Sequence, residues 1–219
     1  NFTLYDNQAK NNSFSYSEIN VGLIYQPINA FTLSVNPAFS SNKNKLQYVT
    51  QTGINTKIRY ITANLDQNTL SASIRFDYNI NPNLTIQYYG QPFISRGRYN
   101  QFNKVINPIA QYYADRVGIF NSNQIDFNEA ENRYEVDEDV NGTIDYTIHN
   151  PDFLFVQFRS NMVARWEYIP GSEIYLVWSQ GITSNGNPNE NLVSELDSQI
   201  LGRKPVNTFL IKITYRLSL

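Results

Sequence analysis

The 219-residue chain has no cysteine, one histidine, one methionine and two tryptophans. Without cysteine there is no disulfide, thiolate metal site or cysteine nucleophile. The lone His149 leaves a Ser-His-Asp triad or a multi-histidine zinc site almost without material, and no Gly-x-Ser-x-Gly elbow is present. Charge is also scarce. Only 16% of residues are charged and the net charge is −2, so no basic footprint for nucleic acid appears. The longest uninterrupted apolar run covers residues 174–178, whereas a membrane-spanning helix needs roughly 20 apolar residues. The chain starts at Asn1 and shows no signal peptide, which is expected of a trimmed chain or a fragment.

What is abundant is aromatic and amide side chain: 16 Tyr, 13 Phe and 30 Asn. Disordered chains are poor in aromatics and rich in charge, so disorder is excluded. The charge that exists is unevenly spread. Residues 98–152 carry a net −6 and the rest of the chain +4, which marks that segment for a separate task.

The dominant pattern is period two. Leu70, Ala72, Ile74, Phe76, Tyr78 and Ile80 alternate with Ser71, Ser73, Arg75 and Asp77. Leu154, Val156, Phe158, Met162, Ala164 and Trp166 alternate with Gln157, Arg159, Asn161, Arg165 and Glu167. Phe209, Ile211, Ile213 and Tyr215 alternate with Lys212, Thr214 and Arg216. This is strand periodicity, and it extends beyond the roughly 5–6 residues of an ordinary globular strand. A soluble sandwich would bury the apolar face. A transmembrane barrel would turn it to lipid and the polar face to a lumen. Strand length, charges in mid-strand and aromatics expected at strand ends (Tyr25, Phe39, Tyr60, Tyr78, Tyr168 and Trp178) favour the barrel. The mean hydropathy of −0.44 fits, because only alternate residues would meet lipid.

The fold class expected is therefore all-β: an antiparallel transmembrane β-barrel of about ten strands, or the C-terminal part of a larger one. The strands are placed at 1–6, 14–26, 30–40, 45–51, 55–65, 69–80, 84–96, 153–168, 172–182 and 206–219. Short turns are expected at 27–30, 52–54, 81–83 and 169–171. Longer links are expected at 7–12, 41–44, 66–68, 97–152 and 183–205. Outer-membrane barrels alternate short periplasmic turns with longer extracellular loops in this manner. Residues 1–219 thus form one barrel region with a long acidic extracellular loop at 97–152, in which 109–116 suits a short helix.

Three segments resemble a known family: 58–70 (IRYITANLDQNTL), 89–95 (YGQPFIS) and 150–180 (NPDFLFVQFRSNMVARWEYIPGSEIYLVWSQ). The resemblance is to the C-terminal region of a bacterial domain-of-unknown-function family. Its members join a family-9-like carbohydrate-binding domain to an outer-membrane β-barrel. The closing NTFLIKITYRLSL (207–219) is similar to the family's last strand, although it ends in Leu219 rather than an aromatic residue. The resemblance implies a Gram-negative outer-membrane location and a longer native protein. It supplies no catalytic residues. The implied partners are outer-membrane lipid and lipopolysaccharide, with a glycan or envelope protein reached through loop 97–152.

Two residue sets are candidate sites. Asp137, Asp139, Asn141, Thr143 and Asp145 place oxygen ligands around Gly142 with calcium-loop spacing, although Ile148 stands where a twelfth-position carboxylate belongs. Arg59, Arg75, Asp77, Arg159, Arg165, Glu167, Lys212 and Arg216 are expected to face the lumen. They would either select an anionic or sugar solute or pair with one another, and a narrow ten-strand interior favours pairing. Loop aromatics Tyr99, Phe102, Tyr112, Tyr113, Phe120, Phe127 and Tyr134 suit either sugar stacking or a small loop core. No set of residues suggests an enzyme. The functional expectation is an outer-membrane barrel that anchors or passes material, linked to glycan binding or solute passage. The alternative is a structural component of a larger envelope complex, and the outside alternative is a soluble β-sandwich binding module.

Overall fold

The computed structural model describes residues 2–8, 13–54 and 57–217. Residues 1, 9–12, 55–56 and 218–219, on which parts of the expected links and strands fall, lie outside the described residues.

One large antiparallel sheet dominates. Its strands are β1 (Phe2–Gln8), β2 (Phe14–Val21), β3 (Leu23–Ile28), β4 (Phe31–Ile54), β5 (Lys57–Asn81) and β6 (Leu84–Val105). Residues Tyr113–Arg116 form the short helix α1 and Val117–Ile119 form β7. A separate three-stranded sheet contains β8 (Ile125–Asn128), β9 (Arg133–Val136) and β10 (Tyr146–His149). The large sheet resumes with β11 (Phe153–Ile169) and β12 (Ser172–Asn185), followed by helix α2 (Leu192–Leu201) and β13 (Val206–Thr214). The strand order is β1-β2-β4-β5-β6-β11-β12-β13, with β3 and β7 paired to β4 and β6. Because β2 and β3 pair with successive parts of β4, they form one strand interrupted at Gly22.

The all-β antiparallel expectation holds, but the number of strands is corrected. The two segments at 30–40 and 45–51 are one strand, and so are 55–65 and 69–80. The longer links expected at 41–44 and 66–68 are absent, because Asn42 and Lys43 sit in the ladder opposite Gln67 and Asp66. The Asn42 amide donates to the Gln67 side chain at 3.3 Å. Polar residues that imitate turn composition are here the polar continuation of long strands. Without these two links, two-residue turns remain at 29–30, 82–83 and 170–171 at one end of the sheet. The described longer links, 106–152 and 186–205, fall at the other end, where Ile54 also pairs with Lys57.

The loop is also shorter than expected. β6 continues through 97–105 past a bulge at Gln101 (φ 49°), so the excursion begins at 106 and carries its own strands. Only four residues of the expected helix at 109–116 are helical. Among the described residues the large sheet does not close on itself, and β1 and β13 are its edges.

The two faces of the sheet differ sharply. One cross-strand row reads Tyr25, Leu33, Phe76, Tyr88, Met162, Trp178 and Phe209. The next reads Phe31, Tyr78, Ile86, Ala164, Leu176 and Ile211. These side chains are not covered: Tyr25 is 62% exposed, Ile211 67% and Phe209 73%. Trp178 lies in the middle of this belt, not at a strand end. The belt has a definite height. On β5 it runs from Leu70 to Ile80 and gives way to Asn68 and Asp66; on β6 it runs from Leu84 to Ile94 and gives way to Arg96 and Arg98. Helix α2 covers its far edge, packing Leu192, Leu196 and Ile200 over Leu70, Ile94, Leu154 and Val156.

Candidate functional site

The opposite face is polar, and strand register builds it row by row. Arg75 lies between Ser34 and Tyr89; Tyr89 faces Asn161, which faces Ser179, which faces Thr208. Arg159 lies between Gln91 and Gly181. The Arg75 guanidinium carbon stands 4.9 Å from the Tyr89 ring centroid, a cation–π arrangement. The Gln87 amide donates to Asp77 at 2.9 Å. These residues line two open depressions. One of about 290 Å³ is bordered by Arg75, Asp77, Gln87, Tyr89 and Asn161. The other, of about 400 Å³, is bordered by Arg159, Ser179, Gly181 and Thr208.

Nearer the short turns, the same face carries a paired cluster. Arg165 hydrogen-bonds Glu173 through both Nε and Nη2 and lies 3.8 Å from Glu167. The Tyr175 hydroxyl donates to Glu173 at 2.6 Å, and Lys212 Nζ stands 5.5 Å from the Tyr175 ring. Glu167 also accepts the Gly171 N–H at 2.8 Å, closing the turn where Gly171 adopts φ +80°. Arg216 lies past the end of β13, its N–H on the Ser172 hydroxyl at 3.0 Å.

Arg59 is tied instead to the loop. The Glu138 carboxylate accepts Arg59 Nε at 3.0 Å, Lys104 Nζ at 2.7 Å and the Tyr146 hydroxyl at 2.8 Å. Burial alone would raise the Glu138 carboxyl. The hydrogen bonds from Arg59, Lys104 and Tyr146 outweigh it and hold the group below the usual carboxylate value. Burial and Glu138 together push the Tyr146 phenol far above its ordinary value. This knot joins the loop to the far ends of β5 and β6. Beside it Ile61, Ala63, Phe102, Phe120, Val136, Tyr146 and Ile148 form a core between the three-stranded sheet and the large one. Tyr134 packs its ring against this core, tilted on Phe102 with centroids 4.3 Å apart, and meets the exposed Phe127 at 4.8 Å. Phe102 and Phe120 are buried, so they hold the loop together and are withdrawn from sugar stacking; Tyr112 is exposed. Nothing is described of the Tyr113 side chain.

Asp137, Asp139 and Asp145 bring carboxylate oxygens within 4.8 Å of one another. Two of them close the loop's own backbone. Asp137 accepts the N–H groups of Asn141 at 3.1 Å and Gly142 at 2.7 Å, and Asp145 accepts that of Glu138 at 2.7 Å. Against the cost of desolvation, the Gly142 and Asn141 donors hold the Asp137 carboxyl below its usual value. The Asn141 side chain is turned onto the Thr143 N–H at 2.8 Å.

The expected lumen set is therefore divided. Arg75, Asp77, Arg159, Arg165, Glu167 and Lys212 share the polar face, Arg59 joins the loop knot, and Arg216 lies beyond the ladder. Sequence reasoning missed Glu138, Lys104, Tyr146, Glu173 and Tyr175. Glu173 was legible, since it continues the alternation of Tyr175 on the polar side.

The distinctive segments at 89–95 and 150–180 thus form adjoining ladders of one sheet. The chain belongs to a family of unknown function, DUF5916, whose profile matches residues 1–218. No curated protein and no solved structure matches this DUF5916 chain.

Proposed function

We propose that this DUF5916 chain is part of an outer-membrane β-barrel wall of a Gram-negative cell, with the apolar belt in lipid and the polar face toward an interior. The height of the belt carries this reading. From Leu70 to Ile80 on β5 and Leu84 to Ile94 on β6 it matches the roughly 9–11 residues of a membrane-crossing strand. β5 as a whole has 25 residues, and at about 3.3 Å each it reaches some 80 Å, far beyond a hydrocarbon layer of about 30 Å. The surplus projects on the side of the longer links, where strand ends, the three-stranded sheet and α2 build an outer structure. Outer-membrane lipid and lipopolysaccharide contact the belt. The wall anchors or passes material at the surface, linked through the family resemblance to glycan binding. Nothing in the polar face has the composition of a catalytic site.

A second reading, a structural component of a larger envelope complex, is favoured by the free edges of β1 and β13. Lipid does not tolerate an open sheet edge, so further strands or a partner must pair with them, or the two edges must pair with each other. Heat-modifiability in detergent separates the cases. A faster-migrating unboiled band of the 219-residue chain supports autonomous closure. A requirement for detergent without a shift supports a wall completed by other strands. Full solubility without detergent overturns the membrane reading. Calcium at Asp137, Asp139 and Asp145 is a subsidiary expectation of the sequence, checked by calorimetry at millimolar calcium; absence of heat removes it.

A further inference from the structure

Resting on the barrel reading, we infer that Arg75 and Arg159 form an anion-selecting track on the polar face, suited to a polyhydroxylated anion such as a sugar acid. Arg59 and Lys104 are committed to Glu138, and Arg165 to Glu173. Arg75 and Arg159 have no carboxylate within 4.0 Å among the described residues. Arg75 lies against Tyr89, which occupies a face of the guanidinium and leaves its N–H edge for an acceptor. Arg159 lies across Gly181, where an added Cβ would stand 3.1 Å from Nη1; the missing side chain gives the guanidinium its room.

The setting of the pair defines the ligand. Ladder register places Arg159 two residues from Asn161 on β11, and Asn161 faces Tyr89, the stacking partner of Arg75. On the same face stand Gln87, Gln91, Asn161, Ser73 and Ser179; the Gln91 and Asn161 carbonyls accept the Tyr89 and Ser179 hydroxyls at 3.1 and 3.0 Å, which leaves their amide N–H groups to face a ligand. Guanidinium forks match carboxylates in two-point contact, while amides and hydroxyls serve both sides of a sugar hydroxyl. The neighbouring acid is Asp77, which is engaged by Gln87. Its charge keeps the track from holding small anions tightly, and passage needs binding weak enough to release.

The experiment uses the full native chain in planar bilayers, with each variant first checked for folding by heat-modifiability. In a potassium chloride gradient the reversal potential is expected on the anion side, and glucuronate is expected to occlude current at concentrations at least tenfold lower than glucose. R75Q/R159Q should shift the reversal potential toward cations and abolish the preference for glucuronate. R75K/R159K should keep the ion selectivity and lose most of the glucuronate preference, because the planar fork is gone. R165Q/E173Q removes a neutral pair and should leave both unchanged. Unchanged selectivity and occlusion in folded R75Q/R159Q overturn the track. A folded protein silent at all voltages overturns the pore. Calorimetry with glucuronate then decides the track by itself: heat lost in R75Q/R159Q supports it, and no heat in the wild-type protein overturns it.

Discussion

Glu138 shows how much one side chain carries where the loop meets the large sheet. Its carboxylate is 9% exposed and accepts from three donors on β5, β6 and β10. Glu138→Gln leaves Arg59 and Lys104 without their charge partner, and the expected loss is about 2 kcal/mol of local stability in the loop. Faster amide exchange across Arg133–Val136 and Tyr146–His149 checks it. The same group sets a pH dependence. Because its folded carboxyl lies below the ordinary value, its stabilisation is complete above that value and is lost as pH falls through the lowered one. Loop protection, corrected for the intrinsic pH dependence of amide exchange, should therefore be flat at neutral pH and fall in acid, and in Glu138→Gln the fall should be smaller, leaving the part that Asp137 contributes. Gly97 is a second test. It faces Phe153 in the ladder, and a Cβ there would collide with the ring. Gly97→Ala is expected to cost about 1–3 kcal/mol in thermal unfolding. Neither role was legible in the sequence. Glu138 reads as a spacer in an acidic calcium-type loop, and its partners Arg59 and Lys104 are distant along the chain.

Among the elements, the strands were legible wherever one face is apolar and the other polar. Leu70 to Ile80 and Leu154 to Trp166 alternate cleanly and form strands as read. Legibility failed where strands rise above the belt. There both faces are polar, as at Asn42, Asn44, Asp66 and Asn68, and composition resembles a turn. Helix α2 was missed for a related reason. Its apolar positions Leu192, Leu196 and Ile200 are few, and they sit between Asn-rich and Gly-rich segments. The helix is nonetheless anchored. The Asn191 side chain accepts the Val193 N–H at 2.8 Å, and Arg96 and Arg98 donate to the Glu190 and Pro188 carbonyls at 3.0 and 2.8 Å. Asn191→Ala should cost about 1 kcal/mol of helix stability. Leu196→Asp should release α2 from Ile94 and Leu154, and limited proteolysis should then cut within 186–205 while the strands stay resistant.

For the whole molecule, the large sheet has two unlike faces. The belt is apolar, aromatic and half-buried to exposed, with the same height on β5 and β6, and the polar face carries the charges. Among the described residues the buried core sits at the far end, where the three-stranded sheet and α2 pack on opposite faces. A water-soluble fold of this size would have to cover the belt, and among the described residues nothing covers its middle. Closure was not legible, because alternation assigns faces and leaves the number of strands open. The two tryptophans of the chain, Trp166 and Trp178, both lie on the belt, opposite Leu84 and Ile174 and opposite Met162 and Phe209 respectively. The most direct test is therefore tryptophan fluorescence of the 219-residue chain in vesicles whose lipid tails carry bromine. The account predicts strong quenching by the tail bromines and little by aqueous iodide. Quenching by iodide with no effect of the brominated lipid would contradict it.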